Sequence, residues 1–118
     1  MTAKRKRAEQ RGRRGEAIAA LFLRLKGWRI LDRRVKTPRG EIDLVARRGR
    51  TVAFVEVKWR ATPGELDNAI DPWRLRRVIA AADAAAARYI RPGDTITVDV
   101  VLVAPRSWPR HIANATLA

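Results

Sequence analysis

Cysteine is absent from this chain, aromatic residues make up 6% of it, and histidine occurs once. Without thiols there can be no disulfide and no thiolate metal site, and the same absence fits a reducing, cytoplasmic setting. No apolar run approaches the roughly 20 residues that a membrane-spanning helix needs. The basic N-terminus lacks the apolar stretch of a secretory signal. There is no glycine-rich phosphate loop, no zinc-ligand spacing, no internal repeat and no linker long enough to separate two domains. These absences leave one cytoplasmic domain with no membrane partner, held together by an apolar core.

What is present is positive charge. The 118 residues carry 26 Lys and Arg against 12 Asp and Glu, a formal net charge of +14. Lys4, Arg5, Lys6, Arg7, Arg11, Arg13 and Arg14 face only Glu9, so residues 1–14 read as a basic, flexible tail. The remainder keeps a basic excess of its own, and polyphosphate is the natural partner for it, because neutralising phosphates releases condensed counterions. DNA is the favoured nucleic acid. Apolar residues form 47% of the chain, enough for an ordinary core.

The apolar residues Ile18, Leu21, Phe22 and Leu25 recur at helical spacing between Gly15 and Lys26, and Gly27 is placed to end that helix. Trp28 to Lys36 reads as a strand and Thr37 to Gly40 as a turn. Glu41 to Arg47 and Val52 to Trp59 read as two further strands. Arg60 to Ala69 has turn residues and no period, so a loop is expected. Asp71-Pro72 opens a second helix, with Asp as N-cap and Pro at the first helical position, running to about Tyr89. Thr95 to Ala104 is the most apolar strand, and residues 105–118 read as a C-terminal tail. The order α-β-β-β-α-β predicts an α/β fold over residues 15–104, a mixed sheet flanked by helices.

The chemistry concentrates around Gly49. If Gly49-Arg50 is a two-residue hairpin loop, Asp43 lies directly opposite Glu56 and Glu41 opposite Lys58; a three-residue loop at Arg48-Gly49-Arg50 would shift that register. Alternation puts Glu56 and Lys58 on one face of their strand. Opposed carboxylates are unfavourable in a structural sheet. A divalent cation reverses that penalty, and a hard ion such as Mg²⁺ or Mn²⁺ takes carboxylate, water and phosphate oxygens. Lys58 beside it would orient or deprotonate a water, or steady charge developing on phosphorus. An E-x-K on a strand also occurs as a simple solvated face. Glu16 is open to two readings as well: an acid favouring the dipole of the first helix, or a further member of the metal cluster.

Gly15-Glu16 at a helix start, Gly40-Glu41-Ile42-Asp43, Val55-Glu56-Val57-Lys58-Trp59-Arg60 and the stretch from Asp71-Pro72 through Arg76-Arg77 to Tyr89 resemble the uncharacterised YraN family. That family looks like a branch of the restriction-endonuclease-like superfamily, whose motif is written PD-(D/E)-x-K, and the resemblance covers most of residues 13 to 104. It implies a restriction-endonuclease-like α-β-β-β-α-β core. It also implies that Asp43 and Glu56 are metal ligands with the backbone carbonyl of Val57, and that Lys58 is catalytic. Glu16 matches the helix glutamate of the Holliday-junction-resolvase-like members, and Glu41 is a further candidate ligand. Ile42 stands where the motif has proline. The family itself has no assigned substrate, and fold-level analogy does not supply one.

The expectation is therefore a Mg²⁺- or Mn²⁺-dependent endonuclease acting on DNA, with branched DNA as one candidate, and a homodimer as one way to cut two strands. A non-catalytic nucleic-acid-binding module and a partner-binding adaptor are the alternatives. Arg13, Arg14, Arg60, Arg74, Arg76 and Arg77 are the candidate phosphate contacts. His111 is expected at the surface, and the tryptophans in packing or surface lids ahead of base stacking. Asp99, an acid inside the last apolar strand, is expected to meet a buried arginine or to support the metal site.

Overall fold

A computed structural model describes residues 2–61 and 71–115. Apart from Arg60 and Ala61, the expected loop up to Ala69 lies outside them. The first helix, α1, spans Ala3–Leu25, capped by the Thr2 side chain, which accepts the Arg5 backbone N–H at 3.2 Å. Residues 3–14 are thus the first half of a helix and not a flexible tail. Seven cations do not prevent this, because straight-chain Lys and Arg lose little rotamer freedom in a helix. Gly27 ends the turn with φ of 91°, a conformation that favours glycine.

Three strands follow, β1 (Arg29–Thr37), β2 (Gly40–Arg48) and β3 (Thr51–Trp59), forming an antiparallel meander. Helix α2 (Pro72–Ala85) is capped by Asp71, whose carboxylate accepts the Trp73 N–H at 2.9 Å. It tightens into a 3-10 turn over Ala86–Arg88 rather than running as an α-helix to Tyr89. It leads to β4 (Thr95–Val103), parallel to β3. A short strand β5 (Arg110–Ile112) then adds antiparallel to β4, so the segment read as a tail contributes to the sheet. The described strands form one five-stranded mixed sheet in the order β1-β2-β3-β4-β5. This is the expected α/β architecture, consistent with the restriction-endonuclease-like core that the resemblance implied.

Each face of the sheet buries its own core. Ala19, Ala20 and Leu23 of α1 pack on Leu44, Val55 and Val101, whereas Val78, Ala81 and Ala82 of α2 pack on Ile42, Phe54 and Val98. Alanines at both helix–sheet contacts allow close approach. The side of α1 that packs is not the side the periodicity indicated: Ile18, Leu21 and Leu25 are 44%, 56% and 73% exposed.

Ile42 and Leu44 are two residues apart on one strand yet belong to opposite cores. Regular alternation would put them on the same face. The neighbouring strand is irregular at the same level. Arg33 pairs with Leu44 and Val35 with Ile42, and Arg34 between them takes φ of 51°, a left-handed conformation that twists β1 locally. Asp43 lies across from this irregularity, at the point where β2 changes face.

Candidate active site

β3 keeps strict alternation. Ala53 and Val55, with Val57 and Trp59, face α1, and Val52 and Phe54 face α2, which assigns Glu56 and Lys58 to the α2 face. The β2–β3 ladder runs from Arg48↔Thr51 to Leu44↔Val55, the register expected from a two-residue loop, with Gly49 at φ of 62°. One step further would set Asp43 opposite Glu56, but regular pairing has ended. The Val57 N–H donates instead to the Asp43 carboxylate at 2.8 Å. Glu41 therefore has no strand partner in Lys58, whose ammonium pairs with Glu56 at 2.8 Å.

The strands part where the carboxylates sit, and a pocket of about 270 Å³ opens there. Glu41, Asp43 and Glu56 line it from the sheet, and Arg74, Arg77 and Val78 line it from α2. Gly40 brings the β1–β2 turn against α2; a Cβ there would lie 3.6 Å from the Arg77 carbonyl oxygen.

Burial pushes the Asp43 carboxyl up from 3.8 to about 7, against the opposing Val57 hydrogen bond, and Glu56, Glu16 and Glu41 push it further in the same direction. Burial also raises Glu56, while Arg74 and Arg77 draw it down and Asp71 pushes it up. Lys58 is buried beside these acids, at 6% exposure. Two carboxylates on the sheet, Glu56 and Glu41, and one on α1, Glu16, therefore all bear on the buried Asp43.

Glu16 reaches this cluster from α1. The helix starts at Ala3, so Glu16 lies far from its first turn and the dipole explanation does not apply. Its side chain is 16% exposed and accepts from Arg34 Nε at 2.8 Å. Gly15 faces the sheet here: a Cβ on it would make ordinary contacts, 3.5 Å from Trp59 Cβ and 3.7 Å from Val57 Cγ1. Glu16 does not line the pocket; its effect on Asp43 is electrostatic.

The other candidates separate. Arg74 and Arg77 line the pocket, while Arg76 turns away over the Trp73 ring, 5.9 Å from its centroid. Arg60 donates from its backbone to the Val103 carbonyl and from its guanidinium to the Trp59 carbonyl. Arg13 and Arg14 are exposed on α1 just before Gly15, and Arg11 sits 5.3 Å over the Trp59 ring. Arg34 and the Arg11–Trp59 contact did not stand out in the sequence, because nothing local marks a left-handed arginine or a long-range stacking pair. Among the described residues, no three His, Asp or Glu side chains form a closed metal-ligand group.

Asp99 and His111 form a separate buried pair on the α1 face. His111 is not at the surface: its side chain is 5% exposed, and Nε2 meets Asp99 Oδ2 at 2.7 Å. The other Asp99 oxygen accepts the Asn114 N–H, and Lys26 Nζ lies 3.0 Å from His111 Nδ1. Asp99 thus meets a histidine rather than an arginine or the pocket acids. Trp28 packs in the core, Trp59 is half-buried, and Trp73 and Trp108 are exposed.

No described helix is long and apolar enough to cross a membrane. Residues 15–103 match the uncharacterised protein family UPF0102. The UPF0102 protein of Erythrobacter litoralis is 65% identical over 112 residues, covering 95% of this chain and 97% of that protein. The corresponding protein of Sphingopyxis alaskensis is 62% identical over 107 residues, covering 91% and 92%. That of Rhizorhabdus wittichii is 56% identical over 111 residues, covering 94% of each. The matched span contains every pocket-lining residue, and the chain belongs to the UPF0102 family, the YraN family that its motifs resemble.

Proposed function

We propose that this chain is a Mg²⁺- or Mn²⁺-dependent phosphodiesterase that cuts DNA. The observation that carries this reading is the parted seam between β2 and β3. There the Val57 N–H fixes Asp43, Glu56 pairs with Lys58 on the same sheet, and two arginines face the acids across the pocket. A structural sheet gains nothing from burying carboxylates that repel one another. A cation relieves that repulsion.

The donor set fits a hard ion: it is all oxygen, with Asp43 and Glu56 as principal ligands, the Val57 carbonyl and Glu41 as further donors, and Glu16 adding negative charge from α1. Mg²⁺ commonly takes one or two carboxylates and leaves its other positions to water and phosphate. When bound, the ion supplies Lewis-acid charge beside the scissile phosphate.

The chain's own residues do the rest. Arg74 and Arg77 meet nonbridging phosphate oxygens and hold the phosphodiester against the sheet. Lys58, exchanging its bond to Glu56 for one to an incoming water, donates to that water's oxygen and orients it. Arg13 and Arg14, with the basic turns of α1 before them, contact the flanking backbone, and Arg60 and Arg76 add positive charge outside the pocket. A second copy provides the second site that a two-strand cut requires.

The test is cleavage of end-labelled four-way junction, flap, duplex and single-stranded DNA, and of RNA, with and without Mg²⁺ or Mn²⁺. Asp43→Ala and Lys58→Ala proteins run alongside. Metal-dependent cutting that both substitutions abolish supports the reading, and the preferred substrate names its class. Tight binding at moderate salt with no cutting of any substrate overturns the enzyme and leaves a nucleic-acid-binding module.

A further inference from the structure

Helix α1 is apolar on two sides in its second half. Ala19, Ala20 and Leu23 are buried against the sheet, at 0%, 0% and 1% exposure. Ile18, Leu21 and Leu25, at spacings of three and four residues, form a separate stripe that faces away. A helix with an apolar second face ordinarily buries it against something else. Beside this stripe stands Trp108, 80% exposed. Ile18 and Trp108 line a shallow depression together with the segment from Val103 to Ser107. Contiguous apolar surface of this kind marks interaction sites on soluble proteins.

The charge around it narrows the occupant. Arg14 precedes Ile18 by one helical turn on the same face, Arg7 continues that face two turns earlier, and Arg106 lines the depression itself. A second copy of the chain would bring another +14 against this surface, which disfavours self-association here. An anionic bilayer is the nearest alternative, since it too suits an apolar stripe flanked by arginines; the depression between Ile18 and Trp108 favours a single inserted side chain. DNA has no apolar edge to match Ile18, Leu21 and Leu25.

We propose that this ridge and depression bind an acidic peptide segment of another protein. One bulky apolar side chain enters between Ile18 and Trp108, and neighbouring carboxylates meet Arg14 and Arg106. The surface is distinct from the pocket residues Asp43 and Glu56, and its apolar anchors Ile18 and Trp108 play no part in the nuclease reading, although Arg14 is shared between the two. Its consequence is recruitment: a partner holding α1 by its outer face leaves the pocket open.

The full-length chain is titrated by fluorescence anisotropy against a labelled synthetic peptide in which glutamates alternate with leucine and phenylalanine, at moderate salt. Controls are the same peptide with serine at its apolar positions, a duplex oligonucleotide, and vesicles of phosphatidylglycerol with phosphatidylcholine. Ile18→Ser and Trp108→Ala should each weaken peptide binding by about tenfold, the loss of one apolar anchor, and leave duplex binding unchanged. Arg106→Ala should weaken it less and make it less salt-dependent. Both apolar positions are exposed, so thermal unfolding should show the variants folded.

Equal affinity for the serine peptide overturns the proposal, since the surface would then be a simple polyanion site. Absence of peptide binding overturns it too. Vesicle binding lost in the same variants while the peptide is ignored assigns the ridge to lipid. Sedimentation showing a dimer that Ile18→Ser dissociates assigns it to a second copy.

Discussion

The backbone N–H of Val57 donates to the carboxylate of Asp43 at 2.8 Å, a side chain standing where a strand partner's carbonyl would otherwise accept. This one bond joins three levels of the molecule. It ends the β2–β3 ladder, holds Asp43 at the seam, and lets the two strands part far enough for a pocket. It also works against burial: the bond favours the ionised carboxylate, while desolvation and Glu56, Glu16 and Glu41 favour the neutral acid and prevail, leaving Asp43 at about 7.

That balance sets a pH dependence of the metal-free protein. Below the ordinary value of 3.8 Asp43 is protonated folded or unfolded and costs nothing. Between there and about 7 the unfolded chain releases a proton that the folded chain keeps, so this group makes stability fall as pH rises; above about 7 the penalty is complete. Asp43→Asn keeps an oxygen for the Val57 N–H and removes the charge. It should therefore be more stable than the wild type at pH 8, by roughly 1–3 kcal/mol, and nearly equal to it at pH 4. Urea unfolding in chelator at the two pH values measures this, and an Asn variant less stable at pH 8 would refute it.

Much of this was legible in the chain and some was not, for identifiable reasons. The two-residue loop at Gly49-Arg50 and the register from Arg48↔Thr51 to Leu44↔Val55 were legible, because turn length and strand period are local properties, whereas the end of regular pairing before Asp43 was not. Asp71-Pro72 announced α2 in the same local way. The face of α1 was misjudged because the bulkiest apolar residues look like the core side, whereas a helix lying close on a sheet selects small ones, here Ala19 and Ala20. β5 is three residues long and held by the Asp99–His111 pair, a long-range contact without sequence period. The left-handed Arg34 that accompanies the change of face at Asp43 carries no residue-type signal at all.

Gly15 sits in a motif, yet its space is not fully used. A Cβ there would meet Trp59 at 3.5 Å and Val57 at 3.7 Å, ordinary contact distances. Gly15→Ala should therefore be tolerated and should stabilise the chain by about 0.5–1 kcal/mol through helix propensity. Gly15→Val extends past that contact, displaces α1 from β3, and should cost on the order of 1–3 kcal/mol through overpacking. Chemical denaturation of both variants decides it: a destabilising alanine would mean that the helix cannot shift even slightly at Trp59.

The Asp99–His111 pair should be the strongest single contribution to holding β5. Asp99 is 1% exposed and accepts from both His111 and the Asn114 backbone. Asp99→Ala leaves those buried donors unpaired and should cost about 2–4 kcal/mol. His111→Ala strands the Asp99 carboxylate and should cost a similar amount. The double variant should cost clearly less than the two together, because the residues share one interaction. Additive losses would mean that the pair does not couple in solution.

Metal binding, if the carboxylates provide the site, must appear as stability independent of any substrate. A ligand that binds only the folded chain adds RT ln(1 + [L]/Kd), about 2.7 kcal/mol at a hundredfold excess over Kd. Mg²⁺ or Mn²⁺ should therefore raise the melting temperature of the wild type at pH 8. The increment should shrink as pH falls below about 7, where Asp43 takes up a proton that competes with the cation. Asp43→Asn should already be stable in chelator and gain little from metal. Glu56→Gln removes the second carboxylate and the partner of Lys58, and should lose most of the increment as well. Lys58→Met should behave oppositely: with its competing ammonium gone, Glu56 is freed for the cation, and stabilisation should be undiminished while cleavage is lost. An equal metal-induced shift in Asp43→Asn and wild type would place the ion elsewhere and remove the basis for a metal-dependent site at this seam.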